Sequence, residues 1–423
     1  MSWLVAAVLF LVVPGVQVAL AVTHTFFFTA KELLDTVAAI LAYFWVLNAI
    51  LLSLKIPVMQ RLLPYDRAVR LHILASTGVA LLILAHAFSK ILGGKLIDLL
   101  SWGLLAAFFT ISLLAVSWIR TRIFGWVQRF AMRHLGRTLL GSYDWMREAH
   151  GILFALMAIG MYVHVLRSNI LFLVPIASVV VYHAWFAVVI AMYLFAKMRQ
   201  IVLRPLRVKS IRTTGGIHVI RFAGTSYGFR AGQFGFVSFL GNDLAGESHP
   251  FSFLSHDPRD LEIAVKPLGD HTSQYHQVAE GDAVRINGPF GNFHPPARGP
   301  LCLIGSGIGI VPILSILKHL AAHGDQRRVE VFLAVTERSE LLEPDAIEAA
   351  QREMPNLTVR ILVFSEDGTL FNEEFFRDQL QDTRRQTFMV CSSRRVRGVV
   401  VDALGRLGVR RHKIRFEDFA FGA

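Results

Sequence analysis

Two apolar stretches of the chain each carry a pair of histidines at the same interval. His72 and His86 lie within 70–91 and His150 and His164 within 145–166, fourteen residues apart in both cases. At about 100° and 1.5 Å per helical residue, fourteen positions bring two side chains within about 40° of each other and roughly 21 Å apart along the axis. Two such helices side by side present two opposed imidazole pairs, one near each end. A neutral imidazole is a good iron ligand, and a haem is a flat disc that fits between helices. Any one of these histidines has an alternative role, hydrogen bonding to a neighbouring helix. An interval that occurs twice favours two stacked b-type haems, each held by two histidines. His183 has no partner at that interval and reads as a structural histidine.

The second half holds a different set. His249-Pro250-Phe251-Ser252 offers an aromatic edge and a hydroxyl, Lys266 a cation, and Gly269-Asp270-His271-Thr272 a glycine-opened helix start. Together they suit a flavin ring and its diphosphate, although a barrel strand and its turn contain such residues anyway. Farther on, Leu301-Cys302-Leu303-Ile304 is a buried-strand run. After it, Gly305-Ser306-Gly307-Ile308-Gly309-Ile310-Val311-Pro312 opens a helix that the pattern carries to Leu320. Glycines there let backbone amides approach a phosphate at the helix N-terminus. Lying after a strand and before a helix, this turn says more than a glycine-rich turn alone.

Two kinds of scaffold must position these residues. Of 423 residues, 54% are hydrophobic, and the apolar runs crowd into the first 200. Six spans long enough for a bilayer core are predicted, at 2–22, 35–54, 70–91, 99–119, 145–166 and 170–195. The first lacks the basic start of a signal peptide and reads as a helix. Lys and Arg gather between spans two and three, between four and five, and after six. Positive-inside bias then sets both termini and the soluble half in the cytoplasm of a bacterial inner (plasma) membrane protein. The histidine helices run parallel in that orientation, so His72 pairs with His150 on an inner haem and His86 with His164 on an outer one. Arg67, Arg70 and Arg147 lie where inner haem propionates would emerge, or are interface anchors. The net charge of +12 fits basic loops at an anionic leaflet, and no nucleic-acid-binding motif accompanies it. Cys302 and Cys391 are the only cysteines, which excludes a disulfide framework, a cysteine zinc site and an iron–sulfur cluster.

From Pro205 to His294, short β-rich runs alternate with glycine turns, as a small antiparallel barrel requires. From Pro300 the pattern becomes strand–turn–helix, with further strands at 329–335, 359–364 and 388–392 and a helix near 371–380, a nucleotide-binding α/β domain. The expected domains are thus a six-helix membrane di-haem bundle (1–200), a flavin-binding β-barrel (201–298) and an NAD(P)H-binding α/β domain (299–423), the last two forming a ferredoxin-reductase-like module.

With these residues in place, nearly the whole chain resembles compact prokaryotic members of the ferric reductase and NADPH oxidase superfamily. The His72/His86 and His150/His164 helices match its haem-ligand helices. His249, Pro250, Phe251 and Ser252 match its flavin motif, and Lys266 with Gly269 to Thr272 its flavin phosphate segment. Gly305, Ser306, Gly307, Ile308, Gly309 and Pro312 match its pyridine-nucleotide turn. Cys391 matches its nucleotide-domain cysteine, and Glu417-Asp418-Phe419 its C-terminal aromatic motif, which implies that the Phe419 ring covers the flavin until nicotinamide displaces it. The sequence departs from that pattern at Val311 (usually Thr), at Ser392-Ser393 after Cys391, and at Thr336, where an Arg is usual and Arg338 follows two residues later. Phe421 rivals Phe419 for the stacking position.

The expected cofactors are two haem b, FAD and NADPH, with NADH possible and Arg338 as the partner of the 2′-phosphate. Electrons would pass from cytoplasmic NAD(P)H through FAD and both haems to an external small-molecule acceptor. Oxygen, giving superoxide, is favoured over a ferric chelate. A dedicated quinone or protein partner is the remaining alternative, although no obligatory protein partner is evident, and the expected surroundings are a lipid bilayer and no nucleic acid.

Overall fold

In the computed structural model the chain divides into two compact units that meet in sequence at Ile201 and Val202. The structure describes residues 2–24, 29–54, 56, 59, 62–92, 99–118, 143–168, 170–223, 228–241, 244, 248–269, 271–368, 371–380 and 382–416. The basic loop 119–142, Asp270, and the C-terminal Glu417, Asp418, Phe419 and Phe421 lie outside them.

The first unit is built of helices: α1 (Leu4–His24), α2 (Ala30–Ser53), α3 (Tyr65–Leu92), α4 (Leu99–Trp118), α5 (Tyr143–Arg167) and α6 (Ile176–Val202). Among the described residues, five segments are long and apolar enough to cross a membrane: Leu4–His24, Ala30–Ser53, Arg67–Leu92, Ala149–Arg167 and Ile176–Arg199; α4 adds the shorter apolar stretch Leu99–Phe108. Helix α2 is central, with Tyr43, Phe44, Val46, Leu47 and Ala49 buried. It packs along α3, and α4 packs along α5. Close approach of α2 and α3 needs Gly78, where an added Cβ would stand 2.5 Å from the Trp45 ring.

Both histidine helices repeat one pattern. On α3, Val79 is buried midway between His72 and His86, while Leu74, Leu81 and Phe88 are exposed. On α5, Met157 is buried midway between His150 and His164, while Ile152, Ile159 and Leu166 are exposed. A two-residue offset is about 200° of helix, so the two stripes face opposite ways. Apolar side chains exposed in such a row suit hydrocarbon rather than water.

Helix α1 passes through a π turn at Val8–Val12, which shifts its carbonyls out of the regular i→i−4 ladder. The buried Asn48 donates to Leu9 O at 2.5 Å and Trp45 donates to Phe10 O at 3.0 Å. Trp185 of α6 donates to Asn48 Oδ1 at 2.9 Å, tying three helices together. The sixth span differs from the expected 170–195. A short turn, Ile170–Leu173, precedes α6, which starts only at Ile176. Pro175 is the cause: it disfavours helical backbone at Val174 and then seats itself ahead of a new helix start. The first helix runs to His24, two residues past the expected end of its span at 22.

The second unit opens with an antiparallel sheet in the order β4-β3-β6-β1-β2-β5, where β1 is Leu206–Thr214, β2 Ile217–Ala223, β3 Phe234–Leu240, β4 His249–Ser252, β5 Glu262–Val265 and β6 Ala283–Phe290. A bridge between Phe253 and Ile263 and a Leu254 N–H bond to Glu262 O at 2.8 Å join its two edges into a barrel. Next comes an all-parallel sheet in the order β11-β10-β7-β8-β9, with β7 Leu301–Ser306, β8 Val329–Val335, β9 Leu357–Val363, β10 Thr387–Cys391 and β11 Ile414–Phe416. Its helices are α7 (Ile310–Ala322), α8 (Pro344–Glu353), α9 (Glu373–Gln379) and α10 (Arg394–Arg406). The strand at 388–392 was expected to be the last; β11 follows it as an edge, three residues too short to show a periodic pattern.

The order in which the chain adds strands reverses between β7 and β10, the switch point at whose carboxyl ends open α/β sheets take ligands. Gly305, Gly307 and Gly309 differ in why they must be glycine. A Cβ on Gly309 would lie 2.2 Å from Cys391 O, and one on Gly305 3.0 Å from Ile313. Gly307 has φ +54° and open space where its Cβ would be. Gly309→Ala is therefore expected to cost about 2–3 kcal/mol through overpacking. Gly307→Ala should cost about 1–2 kcal/mol, from left-handed backbone alone. Thermal unfolding of the full chain, followed by circular dichroism, checks that order; equal losses would mean that the approach to Cys391 is not what Gly309 serves.

Candidate functional site

Three of the four expected iron ligands share one arrangement. His72 Nδ1 donates to Ala49 O at 2.9 Å. His86 Nδ1 stands 2.8 Å from Asp35 Oδ1 and 3.3 Å from Asp35 O. His164 Nδ1 lies 3.3 Å from Ser101 Oγ. In each case Nδ1 faces a polar group on the preceding helix, the kind of orienting contact that metal-ligating histidines carry. His72 and His150 are brought together with ring centroids 6.4 Å apart and an interplanar angle of 75°. Two metal–imidazole bonds of about 2 Å, plus about 1.1 Å from each nitrogen to its ring centre, give a separation of about 6.2 Å. The centroid separation is close to that of two imidazoles sharing one metal ion. His150 also stacks on Phe154 at 5.7 Å. His183 Nδ1 lies 3.1 Å from the Tyr162 hydroxyl, a hydrogen bond within the bundle.

Sequence reasoning assigned no role to Asp35, Ser101 or Ala49. Asp35 is buried and also ion-paired with Lys90. An acidic residue at the edge of an apolar span is itself a signal of function, and that signal was present.

In the barrel, β4 carries His249, Pro250, Phe251 and Ser252 and pairs with β3 in the register Val237↔His249 to Phe234↔Ser252. His249 stacks on His271 with centroids 4.0 Å apart, and Phe251 meets Tyr275 edge-on at 5.5 Å. The Thr272 hydroxyl accepts from Leu268 N at 3.0 Å and Gly269 N at 3.1 Å, closing the turn ahead of the 3₁₀ helix Thr272–Gln277. Lys266 Nζ is 2.7 Å from Glu340 Oε1 across the barrel and α/β layers, both groups largely buried. Glu340 also accepts from Thr336 N at 3.4 Å, just past β8. Lys266 thus already has an anionic partner that sequence reasoning did not find.

At the switch point, Ser306 ends β7, Gly307, Ile308 and Gly309 form a 3₁₀ turn, and α7 begins at Ile310 with no side chain capping it. Pro312 sits in the first turn, where a missing N–H costs nothing. Val311, which replaces the usual Thr, is buried in the core of this layer. Cys391 closes β10 beside the turn. Burial and the neighbouring Glu330 raise the pKa of Cys302, leaving it an inert core thiol. Arg338 lies in the 3₁₀ turn Arg338–Glu340, with Nε 2.8 Å from Glu366 Oε1 and a second contact from its guanidinium to Glu366 Oε2. The pair raises the Arg338 pKa and lowers that of Glu366. Both side chains are exposed, so another anion can exchange for Glu366 at little cost. Arg394 and Arg395 are exposed at the start of α10.

Residues 303–391 match the family model described as oxidoreductase NAD-binding domain. A probable dihydroorotate dehydrogenase B (NAD(+)) electron transfer subunit of Methanocaldococcus jannaschii is 24% identical over 169 residues, covering 39% of this chain and 59% of that protein. The ferredoxin–NAD(P)(+) reductase component of a Ralstonia naphthalene 1,2-dioxygenase/salicylate 5-hydroxylase system is 27% identical over 109 residues, 25% of this chain and 33% of that one. The chain thus spans 59% and 33% of the lengths of these two relatives, less than two thirds of either. Among solved structures, an Amycolatopsis cytochrome P450 reductase is 21% identical with a TM-score of 0.46, covering 51% of this chain and 69% of its own. A flavohemoglobin from Malassezia yamatoensis is 17% identical with a TM-score of 0.48, covering 69% of this chain and 82% of its own. Within the second unit, residues 303–391 are thus similar to an oxidoreductase NAD-binding domain.

Lys266 and Glu340 give this module a test. Where Lys266 serves the flavin diphosphate, Lys266→Gln weakens FAD retention about ten-fold, the scale of one charge-assisted hydrogen bond. Glu340→Gln then tightens retention by removing a competitor for the ammonium. Fluorescence titration of stripped protein with FAD measures both; equal weakening by the two substitutions would mean that Lys266 serves only as a bridge to Glu340.

Proposed function

We propose that the chain is a transmembrane electron-transfer oxidoreductase of the ferric reductase and NADPH oxidase type. In this reading it moves electrons from cytoplasmic NAD(P)H to an acceptor across a bacterial inner membrane, with oxygen, giving superoxide, as that acceptor. The observation that carries this reading is the duplicated histidine stripe, backed by exposed apolar stripes and joined in one chain to a reductase module. When bound, FAD divides a hydride pair into single electrons, and bis-histidine haems relay them without an open iron position. His72 and His150 are the ligands of one haem and His86 and His164 of the other. Ala49, Asp35 and Ser101 hold three of these rings in place through Nδ1. At the switch point, the open side of Gly307 and the start of α7 receive the nucleotide diphosphate. The β4 segment and the Lys266–Thr272 turn receive the flavin, and Phe419, outside the described residues, is the proposed cover of its ring. FAD, NAD(P)H and two haem b are the cofactors on this reading.

A second reading has its own support. The relatives named above are electron-transfer components of larger systems, which favours delivery of electrons to a partner protein or quinone instead of oxygen.

The deciding experiment uses the full-length protein in detergent. Anaerobic NADPH should bleach the flavin and then reduce two low-spin haems, and air should reoxidise them with a dismutase-sensitive signal. His72→Ala or His150→Ala should remove one haem, His86→Ala or His164→Ala the other, and His183→Phe neither. A wild type without a Soret band sinks the membrane half of the reading, and reduction without superoxide moves the acceptor to the second reading.

Arg338→Ala should lower kcat/KM for NADPH about ten-fold or more while sparing NADH, since a 2′-phosphate loses a bidentate contact. Equal use of both nucleotides by the wild type would remove Arg338 from nucleotide choice.

A further inference from the structure

His72 and His86 differ in the charge that stands beside Nδ1. His72 Nδ1 meets a neutral backbone carbonyl, Ala49 O, at 2.9 Å. His86 Nδ1 also bonds a backbone carbonyl, Asp35 O, at 3.3 Å, but it stands in addition 2.8 Å from the Asp35 carboxylate, whose other oxygen is ion-paired with Lys90. Asp35 is buried, at the start of α2, among the apolar residues of the bundle. A buried carboxylate without partners is strongly unfavourable, and this one has two, both on α3.

We propose that Asp35 is a positioning residue that fixes the His86 ring through Nδ1 and lowers the reduction potential of the haem that His86 ligates, with Lys90 opposing that effect. The proposal rests on the di-haem reading. A carboxylate 2.8 Å from Nδ1 polarises the ring and makes Nε2 a stronger donor, and its charge favours ferric over ferrous iron. In a bundle interior of low dielectric that charge acts more strongly than it would in water. The cation of Lys90 stands on the far side of the same carboxylate and weakens both influences. The His72 side has no such charge on its Nδ1 partner. A lowered potential at the His86 haem makes it the stronger reductant, which suits donation of one electron to an acceptor that is hard to reduce.

The test is an anaerobic redox titration of the full-length protein, followed in the haem bands at one fixed pH, with His86→Ala identifying which wave belongs to its haem. Asp35→Asn should shift that wave to higher potential and leave the other in place, and Asp35→Glu should restore it. Lys90→Gln should shift the same wave the opposite way, which loss of packing alone does not do. An unmoved wave in Asp35→Asn, or shifts of the same sign in Asp35→Asn and Lys90→Gln, overturns the proposal while the di-haem reading stands. If Asp35→Asn loses the haem outright, Lys90→Gln decides: a downward shift supports the proposal and an unmoved wave overturns it. A wild type that binds no haem removes both readings together.

Discussion

An imidazole has two nitrogens, and the histidine helices of the first unit depend on one of them being held. Holding Nδ1 aims Nε2, and the groups that do so sit on the preceding helix: Ala49 and Asp35 on α2 for α3, and Ser101 on α4 for α5. The pairing of α2 with α3 and of α4 with α5 is therefore part of the site as well as part of the packing. Gly78 lets Trp45 approach α3 closely, and the buried Val79 and Met157 hold the midpoints of the two stripes. A fourteen-residue interval keeps its meaning only if each helix presents the same face along its whole length, and these contacts set that face.

The second unit solves a different problem, the close approach of a strand, a helix and a phosphate-sized ligand. Gly305 and Gly309 remove side chains where backbone meets backbone, while Gly307 leaves the outer side open. Around this fixed point the ion pairs differ in exposure. Lys266–Glu340 is largely enclosed and links barrel to sheet, whereas Arg338–Glu366 is open to solvent. An enclosed pair keeps its geometry because breaking it strands a charge. An exposed one contributes little and yields to a competing anion.

The elements with strong local periodicity were legible in the sequence. The fourteen-residue interval, the strand at 329–335 and the order strand, glycine turn, helix all follow from spacing that one segment carries by itself. What was not legible depended on pairing between distant segments. Asp35 and His86 are brought together only by the packing of α2 on α3, and Lys266 and Glu340 only by the docking of barrel on sheet. Strand β11 is recognised by its neighbour β10, not by its three residues. The broken start of the sixth helix was written in Pro175, but its apolar flanks read as one continuous span. Val311 reads as a departure from a binding pattern and sits in the core instead.

The π turn of α1 has a consequence for the order in which the bundle is completed. An isolated helix in hydrocarbon has every reason to keep its regular ladder, because an unbonded carbonyl there has no water to turn to. The turn at Val8–Val12 becomes tolerable only when Asn48 and Trp45 supply donors, and Asn48 is itself steadied by Trp185 from the last helix. Helix α1 is thus among the elements that reach their final winding late, waiting for a side chain about 175 residues downstream to close the clasp.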